Sequence, residues 1–370
     1  MPLMPEPLKN IYNPLFFEGL TEVLKTVLPR FKKQAFINQV IDAGWEEKEL
    51  KQRMRHISTV LVNYLPNDFS EQVACTVRII EQLESRGIKG GFEYMFLPDL
   101  VEQCGLDHLH LSLRAMERIT QFASCEFAVR PFLSKYPEQV MQQMLRWSKH
   151  PHHHVRRFAS EGCRPRLPWA MAIPGLKNDP SPIIPVLENL KTDDSLFVRK
   201  SVANNLNDIA KDHPGLVAGL VKSWKGKSRE TDWIIRHGCR TLLKKADPAI
   251  YEIFGLNGSS ECKITGLKLN RINIKLGETL PFSFQLKTGR HPANLRIEYA
   301  VYYLKANGSH SRKIFQLTQK NSTGGEVYSF KKEQRFQDFS TRKHYPGRHK
   351  IAVVVNGREL AAKEFTLLKN

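Results

Sequence analysis

The chain has 370 residues, enough for two or three domains with sizeable cores, and this length excludes a small scaffold held together by disulfides. Its 41% hydrophobic and 25% charged residues exclude a disordered chain, and no apolar run reaches the roughly 18 residues that span a bilayer. Lys and Arg number 56 against 37 Asp and Glu, and the net charge of +19 predicts a polyanionic partner, most often nucleic acid.

The first part of the chain, up to about Phe254, is predicted to be helical. Apolar residues recur there three and four positions apart, between breaks at Pro, Gly or Asp. Two successive stripes illustrate the pattern, namely Leu50, Met54, Ile57 and Leu61, then Val73, Val77 and Ile80.

After Gly255 the pattern changes to short alternating runs that predict strands. Turn signals separate them, including Asn307-Gly308, Gly324-Gly325 and Asn356-Gly357. An all-β module of about 110 residues has the size of an immunoglobulin-like sandwich. The predicted strands cover residues 271–275, 280–286, 295–304, 313–318, 326–331 and 349–355.

These two patterns predict a helical domain at residues 1–257 and a basic β domain at residues 263–370. Beyond Ser260 the chain holds 21 basic and 8 acidic residues, so +13 of the net charge belongs to the β domain. We therefore expect the β domain to clamp a DNA duplex through its phosphates.

The N-terminal residues carry prolines and an acid where a signal peptide needs a basic patch and an apolar core, so we expect a cytoplasmic protein. We also expect a monomer. The cysteines show no Cys-x-x-Cys spacing, which favours free thiols over disulfides or zinc ligands. They are Cys75, Cys104, Cys125, Cys163, Cys239 and Cys262.

An internal repeat lies within the helical part. The segments VRRFA (155–159), VRKSV (198–202) and IRHGC (235–239) align at offsets of 43 and 37 residues, and each is predicted to open a helix after a polar turn. A period of about 40 residues with two helices per unit is typical of HEAT-like repeats. The predicted architecture is therefore an α-solenoid of HEAT-like repeats followed by an immunoglobulin-like β-sandwich.

A polar stripe accompanies the repeat. It is either an ordinary solvated face or the face that meets the partner, and we favour the partner because single acids are mixed there with cations and Asn. The aligned positions are Lys200, Asn204 and Asp208 in the second copy, Arg157 and Glu161 in the first, and His237, Thr241 and Lys245 in the third.

The segment WSKHPHHHVRRFASEGCRPRLPWAMA (147–172) concentrates four histidines, four arginines and two tryptophans. The histidines could suggest a metal, but consecutive residues at a helix start point in different directions and no carboxylate or cysteine completes a ligand set. A phosphate contact is favoured instead, because a helix start and planar guanidinium groups both suit an anion. We expect such contacts from His154, Arg156, Arg157, Arg164 and Arg166.

Three isolated acids, Glu126, Glu161 and Asp208, lie in these basic surroundings. An acid in a groove for a polyanion weakens binding, so each one either forms a salt bridge with a neighbouring arginine or takes part in chemistry. Spacing alone favours the salt bridge.

Four long stretches carry a resemblance to a known family. They closely resemble the bacterial alkylation-repair DNA glycosylases of the AlkC type, which are relatives of AlkD in the HEAT-like superfamily. The basic β module resembles the immunoglobulin-like domain at the C-terminus of one AlkC subgroup. The stretches are SCEFAVRPFL (124–133), HPHHHVRRFASEGCRPRLPWA (150–170), SVANNLNDIAKDHP (201–214) and WIIRHGCRTLLKKADP (233–248).

The resemblance implies a monofunctional glycosylase that hydrolyses the N-glycosidic bond of cationic methylated bases in duplex DNA, without a lyase step, deep base flipping, a metal or a cofactor. The implied substrates are 3-methylcytosine, 1-methyladenine and lesions of the 3-methyladenine type. The implied catalytic residues are Glu126, Glu161, Asp208 and Trp169. In a bacterium such an enzyme would be cytoplasmic and associated with the nucleoid when bound to DNA.

We hypothesise that Asp208 and Glu161 perform the main electrostatic and water-activating roles, with Glu126 assisting. The alternative is a non-catalytic HEAT-repeat scaffold that binds nucleic acid, and a third possibility is membrane-surface binding by the β domain. The complete set of expected DNA contacts is His154, Arg156, Arg157, Arg164, Arg166, Lys200, Asn204, Arg236, Arg240, Arg342, Lys343 and His344.

Overall fold

The computed structural model describes residues 6–257, 261–338 and 343–369. The chain divides into two compact units. The helical unit comprises the residues up to His213 together with Trp224–Gly238, and the β unit comprises Pro214–Ser223 together with the residues from Cys239 onwards. Matching the expected order, an all-helical region precedes a region of two β-sheets.

Sixteen α-helices lie within the described residues. Many of them begin at a proline or an Asn or Asp N-cap, as at Asn13, Asp68 and Asp247, where a side-chain oxygen accepts a free backbone N–H. They are α1 Pro14–Val27, α2 Lys33–Val40, α3 Leu50–Val62, α4 Phe69–Ser85, α5 Phe96–Cys104, α6 Leu109–Ile119, α7 Arg130–Lys135, α8 Pro137–Trp147, α9 His153–Gly162, α10 Pro174–Asn178, α11 Ile184–Leu190, α12 Leu196–Ile209, α13 Pro214–Trp224, α14 Arg229–Gly238, α15 Arg240–Lys245 and α16 Pro248–Ile253.

The first predicted apolar stripe is confirmed, because all four of its residues are buried on α3. The second is confirmed only in part: Ile80 is buried on α4, whereas Val73 and Val77 are half-buried, and the core face of α4 also runs through Cys75, Ile79 and Leu83.

The repeat helices α9, α12 and α14 pack against each other in sequence order. The predicted segments open α9 and α12, but the third prediction is wrong in detail. Helix α14 begins at Arg229, so Ile235 lies in its second half, and the helix ends at Gly238. The stacked order of α9, α12 and α14 places equivalent faces of successive repeats side by side.

The β unit contains two sheets. The three-stranded sheet has the order β1-β3-β6 and the five-stranded sheet β2-β8-β7-β4-β5, with β2 parallel to β8. Their shared core contains Phe282, Tyr299, Phe336 and Phe365. The strands are β1 Lys263–Leu269, β2 Asn273–Lys275, β3 Thr279–Lys287, β4 Ala293–Leu304, β5 His310–Ser322, β6 Val327–Arg335, β7 Gly347–Val355 and β8 Arg358–Leu368.

The three predicted turn dipeptides connect β4 to β5, β5 to β6 and β7 to β8. In the last of them Asn356 and Gly357 have φ values of 45° and 76°, the left-handed conformation that a two-residue hairpin requires. The Asn356 side chain also accepts the backbone N–H of Arg296 at 2.7 Å, which ties the turn to β4.

None of the helices within the described residues is both long and apolar enough to cross a membrane. All six cysteines are free thiols, as expected.

Candidate active site

The three predicted acids come from different parts of the helical unit. Glu126 lies between α6 and α7, Glu161 lies near the end of α9, and Asp208 lies near the end of α12. Because α9 and α12 pack side by side, Glu161 and Asp208 approach the same place. Gly162 follows Glu161 where a Cβ would come within 3.0 Å of Met144 and Val129, so this turn of α9 packs closely against its neighbours.

Arg157 connects the first two acids. Its Nη1 donates to Glu126 Oε2 and to Ser124 Oγ at 2.7 Å, and its Nη2 lies 3.5 Å from Glu161 Oε1. Ser124 Oγ also donates to Glu126 Oε2 at 2.8 Å. Arg157 and Glu161 are four positions apart on α9, so they share one face of that helix.

Arg164 connects the second and third acids. Its Nη1 donates to Glu161 Oε1 at 2.6 Å and its Nε to Asp208 Oδ2 at 2.8 Å, and Lys211 Nζ lies 3.0 Å from Asp208 Oδ1. Burial alone lowers the pKa of the Arg164 guanidinium, but the carboxylates of Glu161 and Asp208 outweigh burial and raise that pKa.

The result is a chain of alternating charges, here called the carboxylate cluster: Glu126, Arg157, Glu161, Arg164, Asp208 and Lys211. It contains three carboxylates and three cations, so its formal charges balance. The exposed side-chain fraction falls from 13% at Glu126 to 6% at Glu161 and 2% at Asp208. Each acid therefore forms the salt bridge that spacing favoured, and the cluster ties α9 to α12 and to the loop before α7.

A cavity of about 360 Å³ opens beside the exposed end of the carboxylate cluster. Glu126 and Arg157 line it together with the aromatic rings of Phe92, Phe122 and Phe197. The Arg157 guanidinium lies 4.8 Å from the centre of the Phe197 ring. The cavity thus offers a carboxylate and aromatic faces together.

Trp169 contacts Phe92, which lines this cavity. Its ring meets that of Phe92 edge to face at 5.9 Å, and 57% of the residue is exposed. Its φ of 63° is in the left-handed region, which for a residue other than glycine stores about 1–3 kcal/mol of strain. Lys51 Nζ donates to the Trp169 carbonyl and lies 4.9 Å from the Phe127 ring.

Arg130 is a residue of this site that the sequence analysis missed. It is fully buried, and it donates to the carbonyls of Met171 (2.5 Å), Gly162 (3.1 Å) and Arg164 (3.0 Å). Burial lowers its pKa to about 10. Arg130 therefore fixes the segment 162–171, which carries Arg164 and Trp169. The signal was present in FAVRPFL, because an arginine within an apolar run implies a buried cation with a structural purpose.

The four arginines of the segment 147–172, which were expected to bind phosphate, are all paired with carboxylates. Besides Arg157 and Arg164, Arg156 donates to Asp193 at 2.6 Å, and Arg166 lies 2.7 Å from Asp212. These pairs join residues 37 and 46 positions apart. Their guanidinium groups hold successive repeats together, so a phosphate would have to compete with an acid for them.

The remaining predicted DNA contacts fall into three groups. Lys200, Arg236 and Lys343 are exposed, and Asn204 and Arg240 are half-buried. His344 is buried, and its Nδ1 lies 3.1 Å from Asp338 Oδ1, so its imidazole is not placed to meet a phosphate. Arg342 lies outside the described residues.

The histidine-rich turn forms an aromatic group at the start of α9. The rings of His153 and His154 lie 4.5 Å apart, and His154 Nδ1 lies 2.9 Å from the Gln121 carbonyl. Burial lowers the pKa of His154. Among the described residues no group of three or more His, Cys, Asp or Glu side chains is arranged to hold a metal ion.

Known proteins that combine such helical repeats with a C-terminal Ig-like domain include a class of DNA repair proteins, to which this chain is similar. The chain belongs to the DNA alkylation repair (AlkC/AlkD) family. Residues 106–242 match the family described as DNA alkylation repair enzyme, and residues 263–369 match the C-terminal Ig-like domain of the uncharacterised protein YhaZ.

Two individual proteins are similar over almost the whole chain. The Bacillus subtilis protein YhaZ, described as uncharacterised, is 42% identical over 97% of this chain and 98% of its own. The structure of the Pseudomonas fluorescens alkylpurine DNA glycosylase AlkC, bound to DNA containing an abasic site analogue, is 36% identical with a TM-score of 0.93, covering 98% of this chain and 100% of that one.

Proposed function

We propose that this protein is a monofunctional DNA glycosylase that hydrolyses the N-glycosidic bond of cationic alkylated bases in duplex DNA. The proposed substrates are 3-methylcytosine, 1-methyladenine and lesions of the 3-methyladenine type. The observation that carries the proposal is the carboxylate cluster beside an aromatic cavity, in a chain similar over its whole length to a DNA glycosylase.

The electrostatics suit a cationic substrate. Glu126 lines the cavity, so a base that enters meets a carboxylate, and a methylated base brings the positive charge that this carboxylate attracts. A neutral base gains nothing from the carboxylates. The aromatic walls add a cation–π interaction on the order of 1–2 kcal/mol in a desolvated site. Charge therefore separates damaged from normal bases in this proposal.

The chemistry requires few groups. The C1′–N bond breaks and its electron pair neutralises the departing base, so no acid has to protonate the leaving group. The sugar that remains resembles an oxocarbenium ion, which nearby carboxylates stabilise. Water adds to C1′ and releases a proton, for which a carboxylate is a suitable acceptor.

The burial of the acids suggests how these roles are divided. Glu126 lines the cavity, so we assign it the direct contact with the base or with the attacking water. Glu161 and Asp208 lie deeper and supply a fixed negative field, which places more of the chemistry on Glu126 than the sequence hypothesis did. Trp169, which is exposed and contacts Phe92, would stack on the lesion or on its neighbour.

DNA contacts of the β unit can be proposed from strand register. On the outer face of β1-β3-β6, Lys263 pairs with Lys287, and Ser283 pairs with Lys331. Arg335 faces the same side opposite Thr279, and Lys268 opposite Ser283. These cations are exposed and suit a phosphate backbone.

The proposed function is tested with three substitutions, Glu126→Gln, Glu161→Gln and Asp208→Asn. Purified protein is incubated with methylated duplex DNA without added metal, and released bases are identified under single-turnover conditions. Removal of a group that stabilises the transition state typically lowers the rate by about 100-fold or more. Unchanged rates in all three variants would refute the assignment of these acids.

The alternative of a non-catalytic scaffold has a specific observation in its favour, because each acid forms a structural ion pair. The same variants separate the two functions when thermal unfolding is measured beside base release. A scaffold releases no base at all and loses only stability in the variants, whereas a glycosylase loses rate beyond what unfolding explains.

A further inference from the structure

The surroundings of Arg157 in the free protein match those that a cationic base needs. Its guanidinium is planar and carries one positive charge. A carboxylate, Glu126, meets its edge, and a second, Glu161, lies 3.5 Å away. An aromatic face, Phe197, lies 4.8 Å from its centre. A methylated cytosine or adenine is likewise planar, singly positive and able to donate hydrogen bonds from its edge.

The charge balance of the carboxylate cluster limits what can enter. Three carboxylates face three cations, and the Arg157 side chain is only 14% exposed. A neutral base that displaced Arg157 would leave a carboxylate uncompensated in a poorly solvated place, which is strongly unfavourable. A cationic base that displaced it would leave the total charge of the cluster unchanged.

We propose that Arg157 occupies the place of the substrate cation and is exchanged for the cationic base when a lesion enters the cavity. The exchange rests on the proposed function, and it makes Arg157 a residue that determines specificity. Neutral bases are rejected because they cannot replace its charge, and cationic bases are admitted because they can.

The geometry permits the exchange. Arg157 lines the cavity of about 360 Å³ on the same side as Glu126, so its guanidinium can leave Glu126 without crossing the packed core. Once released, it is a planar donor of paired hydrogen bonds, the geometry that a phosphate oxygen pair accepts best. The DNA contact expected for Arg157 from the sequence would then form only when a lesion is bound.

The test uses a free nucleoside, so it does not depend on bond cleavage. Binding of 3-methylcytidine, cationic at neutral pH, is compared with neutral cytidine by calorimetry on the full chain. For Arg157→Met we expect 3-methylcytidine to bind at least about tenfold more tightly than to the wild type, because Glu126 loses its cation and Glu161 keeps only Arg164. Binding of cytidine should not change.

Matched variants complete the design. Arg118→Met removes an arginine from an ion pair with Glu84, away from the cavity, and should leave nucleoside binding as in the wild type. Arg157→Met combined with Glu126→Gln should lose the gain. Arg157→Lys keeps the charge but not the planar donor, so a smaller gain is expected, and this variant decides the question if Arg157→Met does not fold.

Equal affinity of the wild type and both folded Arg157 variants for 3-methylcytidine, including no binding by any of them, overturns the exchange. This outcome leaves the glycosylase assay unaffected. Conversely, a variant that gains nucleoside affinity in a protein that releases no base would retain the exchange and refute the proposed function.

Discussion

Charged residues are arranged differently in the two units. The β unit carries most of the chain's net charge, +13 beyond Ser260, as cations on strand surfaces. The helical unit has a smaller excess but buries ionised groups against each other, from Glu126 through Arg164 to Asp208. The net charge of the chain therefore predicts a polyanionic partner. The candidate catalytic residues, in contrast, belong to the carboxylate cluster, whose charges cancel and add nothing to the net charge.

The largest effect is expected from breaking one buried ion pair in each unit. Arg164→Met leaves Glu161 with Arg157 alone and Asp208 with Lys211 alone, and Arg296→Met removes the cation from Glu298, which lies 2.7 Å from Arg296 in β4. Removal of one partner of a buried pair costs about 3–5 kcal/mol. We expect urea unfolding to show this loss in both variants, but base release to slow, by about 100-fold, only in Arg164→Met. A similar slowing in folded Arg296→Met would remove the contrast between the units.

A smaller effect is expected from the surface cations of the β unit. Replacement of Lys287, Lys331 and Arg335 by Gln should lower DNA affinity by about 10- to 100-fold near 0.1 M salt and reduce the slope of log K against log salt by about 3. Fluorescence anisotropy across a salt series measures both. The control for net charge is a second triple variant, in which Gln replaces Lys305, Arg312 and Lys350. These residues lie in or next to β4, β5 and β7. Equal losses in the two triple variants would mean that the outer face of β1-β3-β6 has no special role.

The next effect is expected from Arg130, which holds the segment 162–171 in place. Arg130 donates from two separate nitrogens, Nε and Nη1, and the single nitrogen of the lysine in Arg130→Lys cannot occupy both places. We therefore expect single-turnover base release to slow by about tenfold while DNA affinity changes by less than about twofold. Arg53→Lys is the matched control, because Arg53 is another buried arginine that donates to carbonyls, those of Lys48 and Lys9. The control should lose stability without losing rate.

The smallest effect concerns pH. Burial lowers the pKa of His152 and His154, so below the ordinary histidine pKa of about 6.5 the unfolded chain binds more protons than the folded one. The free energy of unfolding should therefore fall as the pH decreases from about 7 to 5. His154→Gln should reduce that slope in urea unfolding experiments, whereas His291→Gln, at an exposed position, should not. An unchanged slope in His154→Gln would contradict the burial argument.

Local patterns predicted much of the fold. All six predicted strands exist, but β1 and β8 were not predicted. In β1 the register shifts between Thr265 and Lys268, and Gly266 has a φ of 62°, so the bulge breaks the alternation that marks a strand. In β8 only Phe365 and Leu367 are buried, so its sequence carries too little apolar alternation.

The sequence predicted some residues of the candidate site and missed others. The three acids stood out as isolated acids in basic surroundings, and their catalytic role and that of Trp169 followed from the resemblance. The pairing of Glu126 with Arg157 joins residues 31 positions apart, which no local pattern reveals. Arg130 was missed because its partners are backbone carbonyls, which every sequence provides. The domain limits at residues 257 and 263 and the roles of the site residues stay predictions.

The ion pairs that join successive repeats have an evolutionary consequence. A change at Glu161 or Asp208 alters the ties between α9 and α12 as well as the chemistry, so these positions have little freedom to vary. Phe92, Phe122 and Phe197 line the cavity without taking part in these ion pairs. We therefore expect substitutions at these aromatic positions to change the accepted lesions with less loss of stability than substitutions in the charged cluster.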